Sequence, residues 1–393
     1  MKIIPDVVVI GRNYSTSLGV IRAVGFAGYY VDVVKHGKSR FTTPELKSKF
    51  VKNHFSASES TIIEVLINEI AEKNHKKVII PADDLTVTIL DNNADRLLEY
   101  FIIPQLNGKN GAFMQAMDKG IQKEIAIRCG LPVTKGWTVD IDGKGAYAIP
   151  KNMCYPCYTK PQISIGSPKT YIRKCNNEKE LRMLLDKVAK EGANVILVEE
   201  YLEIDKEYDV PGLSCEGKTL LPAFIEKIKI GEGAHKGVTA IGKIIDAANW
   251  AETSHLLKEY ISQFGLTGLF DIELIESKGT IYFNELNLRN SAASFGITSA
   301  GVNLPGKLVD FLLKNKITSD LDALKNGIMF ASEKSLFENY EAGYCSWKQY
   351  KLDKKSVDFS FIKCNEDMAP YRTFVMLTMR KRLKKIIKSL LGH

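Results

Sequence analysis

The stretch from residue 270 to residue 290, FDIELIESKGTIYFNELNLRN, has the residue types and spacing best suited to chemistry. Its pattern predicts two strands joined by a Ser-Lys-Gly turn. Side chains two apart on a strand point to the same face, so Glu285, Asn287 and Arg289 are expected to line up, and Glu273 can face them across the hairpin. Two carboxylates and an amide oxygen suit Mg²⁺, and a guanidinium offers a planar fork for phosphate or carboxylate oxygens. The alternative is a charged, solvent-exposed face of an ordinary hairpin.

Two further segments could bind a nucleotide. In YTKPQISIGSPK (158–169), Lys160 ends a predicted strand before Pro161 and a turn of small residues. A lysine beside a loop with available backbone N–H groups can hold a polyphosphate. In VEEYLEIDKEYDV (198–210), a strand runs into a polar linker whose glutamates could reach a ribose diol. Each pattern alone is also typical of an ordinary turn or an exposed acidic loop.

The first hundred residues predict the sheet that precedes these segments. Short apolar runs at 7–10, 30–34 and 78–80 alternate with helical patterns through 18–24 and 62–70. Strands separated by helices indicate a doubly wound parallel sheet with helices on both faces. Asp83 and Asp84 follow the third run, at the carboxyl edge where such sheets usually hold ligands.

The pattern changes after residue 110. A single helix is expected over 112–130, ended by Gly130 and Pro132. Short strands are expected over about 133–185, then at 195–198, 220–230, 238–245, 268–276 and 280–286, with one helix near 250–264. Runs of strands with few helices predict an antiparallel sheet.

Length and composition set limits on the class of protein. The chain has 393 residues, 45% apolar and 25% charged, which predicts a folded protein of two or three domains. Of its net charge of +8, seven positive charges lie in the last 24 residues, which contain no Asp or Glu. The rest is nearly neutral, so a nucleic-acid partner is not expected. No apolar run is long enough to span a membrane.

Seven scattered cysteines favour a reducing cytoplasm over a disulfide framework. The Cys154–Cys157 spacing has no second pair and no nearby histidine, so both are expected to be packing residues.

The ordered set of motifs resembles the ATP-grasp superfamily of carboxylate–amine ligases, over most of the chain. AMDKGIQKEIAIRCGLPV is similar to the lysine-bearing helix before the nucleotide lid, and YTKP to the second ATP-binding lysine. VEEYL resembles the adenine hinge, and DIELI followed by ELNLR resembles the magnesium hairpin. The run NLRNSAASFGITSAGVNLP (287–305) also resembles D-aspartate ligases of cell-wall precursor synthesis. The resemblance implies a pre-ATP-grasp domain (1–110), a linker helix and lid (111–190), a second ATP-grasp subdomain (191–315) and a C-terminal extension (316–393).

By this resemblance the chain activates a carboxylate as an acyl phosphate and joins it to an amine, releasing ADP and phosphate. ATP and Mg²⁺ (or Mn²⁺) are the implied cofactors. The implied nucleotide-binding residues are Lys119, Lys160, Glu199, Glu200, Tyr201, Leu202 and Glu207. The implied metal ligands are Glu273, Glu285 and Asn287, and the implied catalytic residues are Arg289 and Lys160. A further phosphate-binding cation is expected among Lys227, Lys229 and Lys236.

Two other functions are considered. A dinucleotide-binding oxidoreductase would use the turn after 7–10, but only Gly11 lies in that turn and the G-x-G-x-x-G spacing is absent. A nucleotide-binding scaffold without catalysis would keep the metal-binding acids and lose turnover. A homodimer is expected only as the commonest state of soluble enzymes.

The tail, YRTFVMLTMRKRLKKIIKSLLGH, predicts a helix with Met379, Leu383, Ile386, Ile387 and Leu390 on one face. One hypothesis is peripheral contact of residues 371–393 with an anionic membrane at its inner face. The other is a helix docked on the protein's own body with a solvated basic face.

Overall fold

The structure is a computed structural model, and it describes residues 5–37, 43–232, 237–314 and 324–390. The chain forms two compact units. The first comprises Met1–Gly111, Tyr208–Asp271 and Asn287–His393, and the second comprises Ala112–Glu207 and Ile272–Leu286. The units combine stretches that are distant in sequence, whereas the predicted division at 110, 190 and 315 follows chain order and stays a prediction.

The first unit begins with a parallel five-stranded sheet in the order β3-β2-β1-β4-β5. Its strands are β1 (Val7–Gly11), β2 (Val31–His36), β3 (Val51–Ala57), β4 (Lys77–Pro81) and β5 (Phe101–Ile102). Its helices are α1 (Tyr14–Phe26), α2 (Ile62–Val65, continued by a π turn at Leu66–Ile70), α3 (Asp84–Asn92) and α4 (Ala94–Leu97). Alternate β1 residues enter different cores: Val7 and Val9 pack in one cluster, and Val8 and Ile10 in another. Because both faces are covered, the strand is apolar throughout.

A nine-stranded sheet contains most of the remaining strands of the chain. Its main path is β16-β15-β11-β13-β14-β17-β18, with β12 paired to β11 and β6 to β15. The strands are β6 (Gln105–Leu106), β11 (Lys206–Cys215), β12 (Lys218–Leu220), β13 (Ala223–Ile230), β14 (Thr239–Asp246), β15 (Leu266–Ser277), β16 (Thr280–Asn287), β17 (Met329–Ala331) and β18 (Phe359–Ser360). The central pairs are antiparallel, as predicted, whereas β17 and β18 pair in parallel.

The second unit is built on a four-stranded antiparallel sheet in the order β7-β10-β8-β9. These strands are β7 (Gly136–Asp140), β8 (Cys157–Pro161), β9 (Arg173–Cys175) and β10 (Val195–Glu200), and the unit's helices are α5 (Phe113–Ala116), α6 (Lys119–Arg128) and α7 (Glu178–Lys190). Leu181, Leu184, Leu185 and Val188 recur at helical spacing and pack with Ile196.

Two sequence predictions about helices in this unit are wrong. The single helix expected over 112–130 is divided into α5 and α6, because the Asp118 carboxylate accepts hydrogen bonds from the N–H groups of Gly120 (2.8 Å) and Ile121 (3.1 Å) and begins a new helix. The strand-rich interval before 185 also contains the start of α7, whose N-cap is Asn177. Its apolar positions follow the helical period, which the strand prediction overlooked.

The remaining helices of the first unit lie in its later stretches. They are α8 (Ala251–Ser262), α9 (Ser294–Ser299), α10 (Leu304–Lys314), α11 (Glu333–Glu341), α12 (Trp347–Lys355) and α13 (Ala369–Leu390). The sequence predicted α8 and α13 but gave no interpretation of 316–370, where β17, α11, α12 and β18 lie.

Candidate functional site

Lys119 is the first residue of α6, and several contacts fix this end of the helix. Its backbone N–H donates to the Gln162 carbonyl oxygen (3.1 Å), and the Gln162 side-chain amide donates to the Asp118 carboxylate (2.5 Å). The helix start is therefore tied to the loop that follows β8.

The Lys119 side chain is buried beside a carboxylate. Its Nζ lies 2.8 Å from Glu285 Oε1 and 2.6 Å from Ser164 Oγ. A cation at the first position of a helix faces the positive end of the helix dipole, a placement that is unfavourable by itself. Glu285 offsets that cost, so a lysine here requires an anionic partner.

Gln122 holds the strand that carries Glu285. Its side-chain amide donates to the Leu286 carbonyl oxygen (2.9 Å) and accepts from the Leu286 N–H (3.0 Å). One face of α6 thereby fixes both Lys119 and the strand position of its partner.

A second lysine–carboxylate group lies on the sheet of the same unit. Glu199, on β10, forms one ion pair with Lys123 (2.6 Å, through Oε1) and another with Lys160 (2.9 Å, through Oε2). Lys160 also donates to the Asn284 side-chain oxygen (2.6 Å), and Lys123 donates to the Thr134 hydroxyl (2.6 Å). We call Lys119, Lys123, Lys160, Glu199 and Glu285 the lysine cluster.

Burial and ion pairing act against each other on the pKa values in this cluster. Burial opposes ionisation of Glu199, but Lys160 and Lys123 outweigh it and lower the pKa of Glu199 to about 2. Burial would lower the pKa of Lys160, but Glu199 raises it above its ordinary value. For Lys123 burial prevails, and its pKa is lowered. Three lysines thus lie close to Glu199 and Glu285, and Glu200 also acts on Lys123.

The predicted adenine hinge lies at the end of β10. The Lys135 N–H donates to the Glu200 carboxylate (2.8 Å), and the Tyr201 N–H donates to the Pro156 carbonyl oxygen (3.1 Å), so that N–H already has a partner. Leu202 follows in the connection to β11, and Glu207 is the second residue of β11. Their predicted contacts with adenine and ribose stay predictions.

The predicted metal hairpin is formed by β15 and β16. Lys278 and Gly279 have φ of 51° and 77°, so its turn uses the left-handed conformation that glycine adopts easily. Glu273 lies on β15, and Glu285 and Asn287 lie two residues apart on β16. Among the described residues, no three His, Cys, Asp or Glu side chains form a metal-binding group. A magnesium ion held by these residues would therefore need the Asn287 amide together with water or phosphate oxygens, a set that Mg²⁺ accepts.

Arg289 lies beyond the end of β16, in the first unit. Its Nε donates to the Asp84 carboxylate (3.1 Å), and its Nη2 donates to the Asn287 side-chain oxygen (3.1 Å). The sequence predicted that Arg289 and Asn287 would lie together, and they do. It did not identify Asp84 as the partner that orients the guanidinium.

The carboxyl edge of the parallel sheet carries a second acid with a clear structural role. Asp83 caps α3 by accepting from the Thr86 N–H (2.9 Å), and it also contacts His36 Nε2 (3.1 Å). Burial opposes its ionisation, but these hydrogen bonds lower the pKa of Asp83 to about 2. The chain positions Asp83 as a cap, and Asp84 as the partner of Arg289.

Two of the three lysines suggested as a further phosphate contact have partners in the structure. Lys227 pairs with Asp209 (3.0 Å) and donates to the Gly237 carbonyl oxygen (3.1 Å), and Lys229 pairs with Asp353. Lys236 lies outside the described residues. The choice among these lysines stays open.

The dinucleotide features have structural explanations. A Cβ on Gly11 would lie 2.8 Å from both Ala82 Cβ and Ser17 Oγ, so close packing requires glycine there. Asp32 is buried and paired with Lys77 (3.1 Å) and the Asn53 amide (2.8 Å). These contacts favour a structural role for both residues.

All seven cysteines are free thiols. Cys157 is fully buried in the core of the second unit, and burial raises its pKa to about 12. It begins β8, whereas Cys154 lies before that strand, so their spacing does not reflect a shared strand face.

Several residues of the site were missed by sequence reasoning. Lys123 could have been found, because it lies four residues after Lys119 and side chains at that spacing share a helix face. Asn284 and Ser164 had no such signal, since their neighbours come from distant segments. Asp271, a buried carboxylate two residues before Glu273 on β15, was also passed over, although strand alternation puts both on one face.

Searches of known proteins place these observations in context. No family model matches the chain. It is 27% identical over 183 residues to the carbamoyl phosphate synthase large chain of Clostridium beijerinckii, covering 45% of this chain and 16% of that protein. A Clostridium botulinum large chain is 25% identical over 239 residues, covering 58% and 18%. The match thus spans less than a fifth of the length of these relatives.

Solved structures give wider coverage at lower identity. An L-amino acid ligase from Bacillus licheniformis has a TM-score of 0.59 at 14% identity, covering 78% of this chain and 75% of its own. The biotin carboxylase domain of Hydrogenobacter thermophilus 2-oxoglutarate carboxylase, solved with MgADP and bicarbonate, has 0.64 at 17%, covering 83% and 74%. The N5-carboxyaminoimidazole synthetase of Staphylococcus aureus, solved with ADP, has 0.54 at 19%, covering 74% and 71%. These likenesses confirm the predicted α/β and α+β fold class.

Proposed function

We propose, from the ATP-grasp fold of this chain, that it is an ATP- and magnesium-dependent ligase. It activates a carboxylate as an acyl phosphate and joins it to an amine, releasing ADP and phosphate. The family resemblance predicted from the sequence is confirmed at the level of fold. We extend that likeness in fold to the activity, the cofactors and the site residues of this chain.

The lysine cluster is the observation that carries the proposal. Lys119 and Lys160 come from different elements of one unit, and both side chains are largely covered beside carboxylates. Buried ammonium groups are costly unless paired, and three ammonium groups brought close together suit a polyphosphate. When the phosphates of ATP take over the pairing of Lys119, Glu285 becomes available as an oxygen ligand.

Glu273, Glu285 and Asn287 are the proposed magnesium ligands. The donor set fits, because Mg²⁺ is commonly held by one or two carboxylates and completes its shell with water and phosphate oxygens. When bound, the ion neutralises charge on the transferring phosphoryl group. Asp271 on the same strand is a second candidate, and separate Asp271→Asn and Glu273→Gln variants would distinguish the two carboxylates.

The chain's own cations serve the remaining chemistry. Lys160 would offset charge on the phosphoryl group, while Arg289 would stabilise the acyl phosphate and the tetrahedral intermediate formed on amine attack. An acyl phosphate hydrolyses in water, so the segment after β8, with Gly166 at a φ of 75°, is proposed to cover it.

The substrate class draws support from the similar proteins. An L-amino acid ligase and carboxylating enzymes solved with ADP are among the matches, so a small carboxylate and an amine are the proposed substrates. The short likeness of 287–305 to D-aspartate ligases makes amino acids, and amine-bearing precursors of the cell envelope, the first compounds to test.

The Hydrogenobacter thermophilus domain is a dimer, which supports the expectation of a homodimer. A cytoplasmic location is proposed from the free thiols.

The test is a screen for phosphate and ADP release, with Mg²⁺ and ATP, over pairs of amino acids and small carboxylic acids. We expect release with one class of pair and its loss without Mg²⁺. Glu285→Ala and Asn287→Ala should each abolish it, a drop of at least ~100-fold. The matched control is Glu191→Gln, which removes an exposed carboxylate paired with Lys187 in the same unit.

Retained turnover in both Glu285→Ala and Asn287→Ala, with folding intact by circular dichroism, would show that the metal site is misplaced. Binding of ATP with no turnover for any pair would favour the nucleotide-binding scaffold. Tight NADH binding without ATP binding would favour the oxidoreductase instead.

A further inference from the structure

The last helix, α13, packs on the protein through buried Phe374, which contacts Phe337, and through its cations. Lys381 pairs with Glu341 (2.9 Å), and Lys385 donates to the carbonyl oxygens of Tyr340 (3.0 Å) and Glu341 (3.1 Å) at the end of α11. Cations are favourable at the negative end of a helix dipole. The Arg382 guanidinium also lies 4.3 Å from the Trp347 ring centroid. The helix is thus docked on the protein's own body, as one of the two sequence hypotheses has it, with Lys381 and Lys385 in contact with α11 while Arg380 and Lys384 stay exposed.

A second set of apolar side chains on α13, opposite buried Phe374, is directed outward. Five large apolar side chains are 41–58% exposed: Met376, Met379, Leu383, Ile386 and Ile387. Their spacing of three and four residues places them on one face of the helix, and we call them the apolar stripe. The side chain of Leu390, also assigned to this face, lies outside the described residues. A contiguous exposed apolar stripe on a folded protein marks an interaction surface.

Exposed cations lie beside the apolar stripe on the same helix. Arg380 and Lys384 are exposed and lie beside it at helical spacing. Residues 370–393 contain no acid that could neutralise them. The adjoining α12 adds exposed Lys348, Lys351 and Lys355, while its one acid, Asp353, is buried and paired with Lys229.

We propose that α13 binds the surface of an anionic lipid bilayer, with the apolar stripe entering the headgroup region and the flanking cations contacting lipid phosphates. An interfacial helix needs an apolar stripe bordered by Lys and Arg, and this helix has both. A second copy of the chain fits less well, because pairing two such helices would bring Arg380 and Lys384 against like charges. Within the described ranges, no helix combines the length and apolarity needed to cross a bilayer.

The experiment is cosedimentation of the full chain with vesicles of phosphatidylcholine alone and of phosphatidylcholine mixed with phosphatidylglycerol. We expect binding only to the mixed vesicles, weakening as salt rises. Arg380→Gln with Lys384→Gln should reduce partitioning roughly 25-fold, at about fivefold per cation. Met379→Ser with Leu383→Ser and Ile387→Ser should reduce it at least about tenfold.

Matched controls come from the exposed face of α7, a helix whose four cations are nearly balanced by three acids. Met183→Ser removes an exposed methionine, and Lys179→Gln with Lys190→Gln removes two exposed cations. Both should bind vesicles as the natural chain does. Phosphate release, once detected, should be unchanged in every tail variant, so failure of this proposal is separate from failure of the proposed ligase activity.

Three results would overturn the proposal. The natural chain could fail to sediment with anionic vesicles. The triple serine variant could bind as well as the natural chain, which would leave only charge attraction. Or sedimentation velocity without lipid could show self-association that the triple variant abolishes, while vesicles recruit neither protein, which would make the stripe an interface between copies.

Discussion

Lysines gather in two regions of this molecule, and their surroundings differ. In the lysine cluster, the side chains of Lys119, Lys123 and Lys160 are only 6–12% exposed, and each has a carboxylate partner within 2.9 Å. On α13 the cations are largely exposed. Lys381 pairs with Glu341 of α11, but its side chain remains 60% exposed. A buried lysine is tolerated only with a partner at a defined position, which makes its surroundings specific. Exposed lysines instead add to a common positive electrostatic potential, which attracts any anionic surface.

The comparison predicts very different costs for removing one carboxylate. Glu199→Ala would leave Lys123 and Lys160 buried without their carboxylate, so it should lower the free energy of unfolding by roughly 3–5 kcal/mol. Urea unfolding at neutral pH measures this loss in the free energy of unfolding. Glu178→Ala, which removes the exposed partner of Arg182 on α7, should cost less than about 1 kcal/mol. Equal losses in the two variants would contradict the distinction between buried and exposed pairs.

The pH dependence of stability should carry the signature of Glu199. Its folded pKa of about 2 lies below the ordinary 4.5, so the ionised form stabilises the fold. That contribution, roughly 3 kcal/mol, should be complete above pH 4.5 and be lost as the pH falls toward about 2. Urea midpoints measured across this interval should fall less steeply for Glu199→Gln than for the natural chain. Identical slopes would mean that Glu199 is not held ionised by its lysines.

A smaller effect is expected from the amide that contacts Lys160. Asn284→Ala removes a hydrogen bond to a buried cation and should cost about 1.5–3 kcal/mol. The free energy of unfolding from urea titration reports it, with Asn176→Ala, an exposed amide bonded to Glu180, as the control. A loss no larger than that of the control would mean that Lys160 does not depend on Asn284.

The smallest effect belongs to the tail. Arg382→Ala removes a cation–π contact with Trp347 at the surface and should lower the free energy of unfolding by only about 0.5–1 kcal/mol. The fluorescence of Trp347 near this contact gives a second measurement. A loss comparable to that of Glu199→Ala would show that α13 is packed as tightly as the buried cluster.

Local signals in the sequence were sufficient for much of the fold and part of the site. The apolar runs of β1, β2 and β4 and the turn between β15 and β16 follow from period and turn chemistry. Asp118 shows the limit: its side chain divides a helix whose apolar pattern continues through it. Lys119 was predicted as a nucleotide contact through the order of motifs alone, whereas Lys160 was predicted also from its place before Pro161 and a turn of small residues.

Long-range contacts account for what the sequence could not reveal. Arg22 and Asp367 form a buried ion pair (3.0 Å) across 345 residues, and buried Glu333 accepts from the N–H groups of Ile362 and Lys363. The Arg22–Asp367 pair joins the described residues 324–370 to α1, although that segment has no recognisable motif. Asp84 and Asn284 were missed for the same reason, because their roles depend on Arg289 and Lys160, which lie far away in sequence.

The most direct test of the account is calorimetric titration of the folded chain with ADP in the presence and absence of Mg²⁺. The account predicts saturable, magnesium-dependent binding that Lys119→Gln weakens strongly and that Arg182→Gln, an exposed cation of the same unit, leaves unchanged. Absence of nucleotide binding by the folded chain with Mg²⁺, or equal binding by the two variants, would contradict the claim that the lysine cluster holds a polyphosphate.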